Sequence, residues 1–233
     1  MRTYVAATLM LFATSASCQN IYLVGEVNYS TFGMNDMKSI QQDFISKSGL
    51  PLNAVDQFPS YIGFGGIAAF EWHQFSFGLQ GGYTSTGGRA DYEDYSGVAR
   101  FDQTIKCYWV GPYFQYRFVA NSSWIPFVNF RSSYIRTNLD LNTLLEVGSS
   151  VQTGETSLHS RSYGFRPELG VSKNLKKVLF QFTIGYELQI HGKLYSDSNS
   201  SAYLLNGSGS PAGAEWDGLR ASFGVGIFIS KHE

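Results

Sequence analysis

The chain has 233 residues, of which only 15% are charged, against about 25% in ordinary soluble domains. Its 17 basic and 18 acidic residues give a formal net charge of −1, which argues against nucleic acid as a partner because phosphates require a basic surface. Two cysteines and four scattered histidines predict no metal site and no cofactor.

The first 18 residues are typical of a cleaved signal peptide. Arg2 supplies the positive charge, residues 4–12 form an apolar stretch too short to span a bilayer, and small residues follow it. Cleavage after Cys18 would leave one exported domain, residues 19–233. Because Cys18 follows Ser-Ala-Ser, lipidation of this cysteine is the alternative.

The remaining chain alternates apolar and polar residues with a period of two, which predicts β-strands. Strands are predicted at residues 21–31, 62–72, 75–84, 108–118, 124–134, 162–171, 178–191 and 219–229. Short turns are predicted at His73-Gln74, Asn121-Ser122 and residues 174–177. Long polar loops are predicted at residues 32–60, 87–101, 139–157 and 192–218. Eight strands with alternating short and long connections predict an all-β, antiparallel, up-and-down transmembrane barrel.

The distribution of glycine and aromatic residues indicates which strand face meets lipid. Glycines concentrate on the polar face, where a narrow barrel crowds its inner side chains, so this face is predicted to line the lumen. Aromatic residues at both strand ends predict two interfacial girdles. The girdle near the short turns comprises Trp72, Phe75, Tyr116, Phe118 and Trp124. The girdle near the long loops comprises Tyr29, Tyr83, Tyr108, Tyr134 and Tyr163.

Charged strand residues are then expected inside the barrel, namely Glu26, Lys106, Arg131, Arg166, Glu168, Glu187 and Arg220. In hydrocarbon, a basic side chain would cost about 2–4 kcal/mol at the midplane, whereas in the lumen it can pair with a carboxylate. An eight-stranded barrel is only wide enough to be filled by side chains. A polar core that fills the barrel is therefore favoured, and a gated pore or proton path is the alternative.

The last strand contains the sequence SFGVGIFI, in which a polar residue, a glycine and two apolar residues are spaced as Ser222, Gly224, Ile227 and Ile229. This spacing resembles the C-terminal signal that the outer-membrane assembly machinery recognises, although residues 230–233 extend beyond it. The chain resembles the family of small Gram-negative outer-membrane β-barrels, similar in plan to the porin-like opacity and virulence-associated barrels. The resemblance implies a monomer in the outer membrane, surrounded by outer-membrane lipid and lipopolysaccharide.

The first long loop contains a predicted amphipathic helix at residues 35–48, with Asn35 or Asp36 as its N-cap. One face of this helix carries Met37, Ile40, Phe44 and Ile45. The helix either covers the barrel mouth or presents a binding surface to an extracellular partner. Tyrosines in the second and fourth loops also suit recognition, namely Tyr92, Tyr95 and Tyr203.

Some barrels of this size are lipid-A-modifying hydrolases, so His159, Ser160 and Glu168 are the candidates for catalysis. Strand alternation directs Ser160 inward and His159 outward, which prevents a nucleophile–base pair. Cys107 is expected to point inward and to pack rather than react. The sequence therefore predicts no catalytic residue. It favours a structural or surface-recognition barrel, with a narrow channel for small solutes as the alternative.

Overall fold

The computed structural model describes residues 20–95, 97–119, 123–199 and 201–231, so the predicted signal peptide, Cys18 and the turn Asn121-Ser122 lie outside it. Within these residues there is one helix, α1 (Asn35–Lys47). The strands are β1 (Asn20–Ser30), β2 (Asn53–Gln57), β3 (Tyr61–Trp72), β4 (Phe75–Asp94), β5 (Gly97–Arg117), β6 (Ile125–Val147), β7 (Ser150–Leu175), β8 (Val178–Ile190), β9 (Tyr195–Ser196) and β10 (Gly218–Lys231). No helix in this part of the chain is long and apolar enough to cross a membrane.

Eight of these strands close into a barrel in the order β1, β3, β4, β5, β6, β7, β8, β10. The ring is complete because β1 pairs with β3 on one side and with β10 on the other, and every pairing is antiparallel. The remaining two strands are short additions, β2 beside β4 and β9 beside β7. The prediction of an eight-stranded up-and-down barrel is confirmed.

Two-residue turns join strands at one end of the barrel, which we call the turn end. His73-Gln74 connects β3 to β4, and Lys176-Lys177 connects β7 to β8. His73 and Lys176 have positive φ angles of 56° and 54°, as the favoured two-residue hairpin turns require at their first position. The opposite end carries α1 and the long connections, and we call it the loop end.

Two of the predicted long loops are wrong. Residues 87–94 and 97–101 continue β4 and β5 as a paired hairpin up to Asp94 and Gly97. Residues 139–147 and 150–157 do the same for β6 and β7, which turn at Gly148. In the extensions of β4 and β7 both strand faces carry mostly small or polar residues, and in β6 the consecutive Leu144 and Leu145 interrupt the alternation, so the period of two fades from the sequence although the backbone pairing continues.

The outward residues of β4–β7 change from apolar to polar at one level, marked by Tyr83, Tyr108, Tyr134 and Tyr163. Towards the turn end, outward side chains such as Leu79 and Leu169 are apolar and exposed. Towards the loop end, outward positions hold residues such as Arg89, Arg136 and His159. We call the part of the barrel between the two aromatic girdles the belt; it comprises residues 21–29, 62–72, 75–83, 108–118, 125–134, 163–171, 178–190 and 219–229.

The interior of the barrel changes in the opposite sense. Inside the belt the buried side chains include many polar and charged groups. Above the tyrosines an apolar cluster forms beside a few buried neutral polar residues such as Gln103 and Thr137, and no Asp, Glu, Lys or Arg of the described strands is buried there. We call this upper apolar cluster the mouth core; it comprises Phe32, Met34, Met37, Phe58, Ile105, Cys107, Ile135, Leu139, Leu158, Leu194, Ala212, Ala214 and Trp216. Strand residues, α1 and the last long connection all contribute to it, so the loops form part of the folded core.

Glycines on the inner face of the belt leave room for large lumen side chains. A methyl group added at Gly164 would clash with the Glu187 carboxylate, and one added at Gly82 would clash with the Trp109 ring. The crowding predicted for the inner face is thus caused by identified side chains, Glu187 and Trp109. A larger residue at Gly164 or Gly82 would displace one of these side chains, which fill the barrel.

Candidate functional site

A buried ion cluster crosses the lumen of the belt. The Arg131 guanidinium on β6 donates to both carboxylate oxygens of Glu26 on β1, at 2.7 and 3.0 Å, and its Nε donates to Glu168 on β7 at 2.8 Å. The three side chains are at most 2% exposed. Bidentate, charge-assisted bonds of this kind are the strongest hydrogen bonds in proteins, so Arg131 joins opposite walls of the barrel.

Neutral and basic neighbours extend this cluster. Gln181 donates to Glu26 at 2.9 Å, and Asn129 donates to Glu168 at 3.1 Å. Arg166 Nε lies 3.1 Å from a Glu168 oxygen and 3.6 Å from a Glu187 oxygen. Five of the seven residues predicted to form a lumen charge network are thus brought together: Glu26, Arg131, Arg166, Glu168 and Glu187.

The other two predicted lumen residues behave differently. Arg220 lies inside but bonds to backbone, donating to the carbonyls of Thr31 and Trp216, and its guanidinium lies 5.2 Å from the Phe32 ring centroid. It therefore ties the barrel to its mouth. The placement of Lys106 inside is wrong, because Lys106 shares the outward face of β5 with Tyr108 and pairs with Asp140 at 3.4 Å.

A second lumen ion pair was missed from the sequence. Arg117 and Glu71 pair near the turn end, and their side chains are only 7% and 13% exposed. The Arg117 guanidinium also lies 5.8 Å from the Tyr22 ring centroid. This pair is predictable from strand alternation, because Arg117 shares the inner face of β5 with Gln115, and Glu71 shares that of β3 with Ala69.

The space left between the ion cluster and the mouth core is small. A cavity of about 20 Å³ is bordered by Trp216 and Cys107 towards the mouth and by Arg166 and Glu187 towards the cluster. A cavity needs roughly 10–15 Å³ to hold one water molecule. The described side chains therefore fill the lumen at this level and leave room for about one water.

The N-terminus of α1 is held by the last long connection. The prediction of Asn35 or Asp36 as N-cap is wrong, because Met34, with φ 47°, occupies that position and forms no side-chain cap. The Glu215 carboxylate accepts a hydrogen bond from the Asn35 backbone N–H at 2.5 Å instead. The Asp36 carboxylate accepts from the Asn206 side chain and the Gly213 N–H, each at 2.9 Å. Two segments far apart in sequence thus fix the helix across the mouth.

The apolar face of α1 packs onto the barrel mouth, which corrects the assignment of Met37, Ile40 and Phe44 to an external recognition surface. Met37 is fully buried in the mouth core, and Ile40 packs against that core. Phe44 stacks on the Phe101 ring, with 4.3 Å between centroids. An amphipathic helix directs its apolar face to the interior that is available to it, so this face packs mainly against the barrel mouth, with Ile40 and Phe44 only partly exposed.

The three tyrosines predicted for recognition lie in different environments. Tyr92 is half-buried, and its hydroxyl donates to Asp94 at 2.7 Å. Tyr95 is fully exposed at the tip of the β4–β5 hairpin. Tyr203 is 45% exposed, and its ring lies 5.1 Å from the Lys193 ammonium. Tyr95 and Tyr203 are therefore the members of the predicted recognition set whose rings remain accessible.

The candidate assembly-signal residues lie on β10, the strand that closes the barrel against β1. Ser222 points inward and donates to Asn28 at 2.6 Å, and Gly224 lies on the same inner face. Ile227 and Ile229 point outward and are exposed. The apolar positions of the motif are thus the ones that face the barrel's surroundings.

The residues considered for catalysis are separated by the strand geometry. Ser160 points inward and donates to the Gly192 carbonyl at 2.9 Å, while His159 points outward and contacts Asp197 at 2.5 Å. Glu168 belongs to the lumen ion cluster. Cys107 is buried in the mouth core, where burial raises the pKa of its thiol. Among the described residues, no three His, Cys, Asp or Glu side chains come close enough to hold a metal ion.

No protein-family model matches the chain, and no curated protein has a matching sequence. Among solved structures, it is similar to Neisserial surface protein A, with 16% identity, a TM-score of 0.44 and coverage of 89% of this chain and 96% of that one. It is also similar to the outer membrane protein OprG of Pseudomonas aeruginosa, with 15% identity, a TM-score of 0.44 and coverage of 91% and 96%. A third similar structure is Ail, the attachment invasion locus protein of Yersinia pestis, with 12% identity, a TM-score of 0.38 and coverage of 91% and 99%. Scores of this size do not establish a shared family, so the barrel is assigned from its strand pairing.

Proposed function

We propose that this chain is an integral outer-membrane β-barrel with a closed lumen, which acts as a structural or surface-recognition protein through its loop end. The outer surface of the belt carries the proposal. Outward positions of the belt hold no Asp, Glu, Lys or Arg in any of its described segments. Apolar side chains there are strongly exposed, for example Phe64 at 60% and Leu169 at 63%. A continuous apolar surface of this extent is stable only when lipid covers it.

The height of the belt agrees with a bilayer. Strand β8 has 13 residues. At about 3.3 Å per residue and a tilt of about 40°, such a strand rises roughly 30 Å, compared with an apolar band of about 25 Å in outer-membrane barrels.

Aromatic rings border the belt at both levels, as expected for side chains at a membrane–water interface. Near the turn end, Phe75 and Tyr116 lie 5.1 Å apart between ring centroids, and the Lys173 ammonium lies 5.2 Å from the Trp124 ring. Near the loop end, Tyr83 contacts Tyr108 at 5.1 Å, and Tyr134 contacts Tyr163 at 5.8 Å. These contacts support the two girdles that the sequence predicts.

The filled lumen supports a structural or recognition role over the alternative of a narrow solute channel. Arg131 and its carboxylate partners cross the belt, and the mouth core with Trp216 covers the loop end. We expect purified protein in planar bilayers to show no conductance above background. Discrete conductance steps would favour the channel instead.

The test of the membrane assignment is gel mobility with and without boiling. The mature chain folded in detergent is expected to migrate anomalously until it is heated, because a closed barrel resists unfolding by detergent. Equal mobility before and after boiling, together with solubility in plain buffer, would contradict the proposal.

The orientation of the barrel can be tested by thiol labelling of intact cells, on a Cys107→Ser background. Tyr95→Cys lies at the tip of the loop end and is expected to react with a membrane-impermeant maleimide. Lys177→Cys, at the turn end, is the matched control and is expected to stay unlabelled until the outer membrane is permeabilised. Reversed labelling would show that the loop end faces the periplasm and would remove the basis for surface recognition.

A further inference from the structure

Two arginines face each other on the outer surface of the barrel. Arg136 on β6 and Arg161 on β7 are directly opposite in the antiparallel register, and both side chains are exposed on the outward face. Residues paired in this way have Cβ atoms only about 4.5–5.5 Å apart, and like charges at such a site destabilise the sheet. The pair therefore lacks a structural explanation within the sheet.

The described residues do not neutralise this charge. Neither guanidinium forms an ion pair or a side-chain hydrogen bond with any residue in the described ranges. The neighbouring acidic groups are already engaged, since Asp140 pairs with Lys106 and Asp197 contacts His159. Lys106 lies diagonally opposite Arg136 across β5 and β6 and is itself paired with Asp140, so the uncompensated charge at this level is that of the two arginines.

The position of the pair along the ladder is as informative as its charge. Reading outward-facing pairs from the belt towards the loop end, β6 and β7 present Val128 with Leu169, Phe130 with Pro167, Ser132 with Phe165, Tyr134 with Tyr163, Arg136 with Arg161, and Asn138 with His159. The arginines thus lie one outward step, about 7 Å, above the tyrosine girdle. Tyrosine rings sit at the headgroup level of a bilayer, so the guanidinium groups reach the layer that contains lipid phosphates.

From this arrangement we infer that Arg136 and Arg161 bind phosphate groups on the headgroup of a lipid in the leaflet that surrounds the loop end. Arginine suits this role because its planar fork of donors matches phosphate geometry. Two adjacent guanidinium groups fit a headgroup that carries more than one phosphate, and the apolar outer surface directly below them can contact the acyl chains. The inference rests on the proposed membrane assignment and names a lipid class for the outer surface of the barrel.

The experiment compares lipid binding by the detergent-solubilised mature chain in native mass spectrometry. The probes are bisphosphorylated lipid A, the same lipid with both phosphates removed, and inorganic phosphate. The test variant is Arg136→Gln/Arg161→Gln. The matched control is Arg89→Gln/Arg100→Gln, which removes two positive charges from the outward face of β4 and β5 higher above the girdle.

The unmodified chain is expected to prefer the phosphorylated lipid, and the test variant is expected to lose about fivefold in affinity for it per arginine removed, as for basic residues at an anionic membrane surface. Affinity for the dephosphorylated lipid and the affinities of the control variant should stay unchanged. Equal affinity of the unmodified chain for both lipids would overturn the inference, as would equal losses in the test and control variants. Displacement of the lipid by millimolar inorganic phosphate would assign the pair to a free anion and overturn the lipid assignment.

Each protein is first checked for its heat-dependent mobility shift. If the unmodified chain shows no shift, the membrane assignment fails and the lipid inference fails with it. If the shift is present in all variants and the preference for phosphorylated lipid is absent, only the lipid inference fails.

Discussion

Gln115 and Ile105 lie on the same strand, β5, and both point into the barrel, yet their surroundings are opposite. Gln115, within the belt, lies among Arg117 and Tyr22, whereas Ile105 is fully buried in the apolar mouth core. The outward residues differ in the reverse sense, with Phe114 beside Gln115 and Lys106 beside Ile105. One continuous strand thus carries two inverted patterns, and the boundary between them is Tyr108.

This difference follows from the medium outside the barrel. Where lipid covers the outer surface, the outer side chains must be apolar, and polar residues placed inside must satisfy one another. Where water covers it, the interior can be an ordinary apolar core. The belt therefore depends on specific ion pairs such as Arg131 with Glu26, while the mouth depends on apolar burial around Trp216.

The largest effect is expected from removing the central cation of the belt. Arg131→Met leaves the Glu26 carboxylate buried without its ion-pair partner and Glu168 with Arg166 alone, and breaking a buried ion pair in this way typically costs about 3–5 kcal/mol. The measurement is urea-induced unfolding in lipid vesicles. The control, Arg89→Met, breaks an exposed pair with Asp102 and should cost no more than about 1 kcal/mol.

A triple variant, Glu26→Gln/Arg131→Met/Glu168→Gln, removes the three central charges together and leaves Arg166 beside Glu187. It should recover most of that stability, because a buried ion triad often breaks even against neutral replacements. If the triple variant is as unstable as Arg131→Met, the cluster would owe its contribution to side-chain shape rather than to charge balance.

The second effect tests the outer surface of the belt. Leu169→Arg places a charge near the middle of the apolar band and should destabilise the barrel in vesicles by about 2–4 kcal/mol. Thr153→Arg is the control, since it lies on the same face of β7 in the extension beyond the girdle and should change stability by less than about 0.5 kcal/mol. Equal effects of the two variants would show that the medium does not change along β7.

The same boundary explains what could be predicted from the sequence. All eight barrel strands were predictable within the belt, because contrast between lipid-facing and lumen-facing residues gives a strong local period of two. Beyond the girdle that contrast is lost. In β4, for example, Thr86 and Gly88 face inward while Ser85 and Gly87 face outward, so the pattern resembles a loop although β5 pairs with it residue by residue.

The candidate site was predictable to a similar depth. The alternation of inward and outward residues along each strand predicts five members of the lumen ion cluster. The error at Lys106 came from ignoring this alternation, because Tyr108, two residues later on the same strand, faces outward. The role of Glu215 at the start of α1 could not be predicted, because 180 residues separate it from Asn35 and the contact exists only when both segments cover the mouth.

A smaller effect is expected from this contact. Glu215→Ala removes the carboxylate that accepts from the Asn35 N–H and should weaken the attachment of α1 by about 0.5–2 kcal/mol, the usual range for loss of a helix N-cap. Hydrogen exchange should speed up for the α1 amides and stay unchanged for β10. Glu146→Ala, an exposed glutamate near the β6–β7 turn, is the control and should leave both unchanged. Faster exchange in β10 would mean that the mouth and the belt unfold together.

The smallest expected effect is a change in the rate at which the Cys107 thiol is labelled. Cys107 lies one residue above the girdle, so its labelling reports on the boundary between the belt and the mouth core. Burial raises the pKa of its thiol, so at pH 8 the folded protein holds less of the thiolate that alkylating reagents attack. Labelling by iodoacetamide should therefore be much slower in the folded chain than in urea, where the thiol regains its ordinary pKa. In Glu215→Ala labelling should accelerate while the heat-dependent mobility shift persists, because opening the mouth exposes Cys107 without breaking the ion cluster below it. Labelling that accelerates only when the mobility shift is lost would show one cooperative unit, in which the apolar mouth and the polar belt cannot open separately.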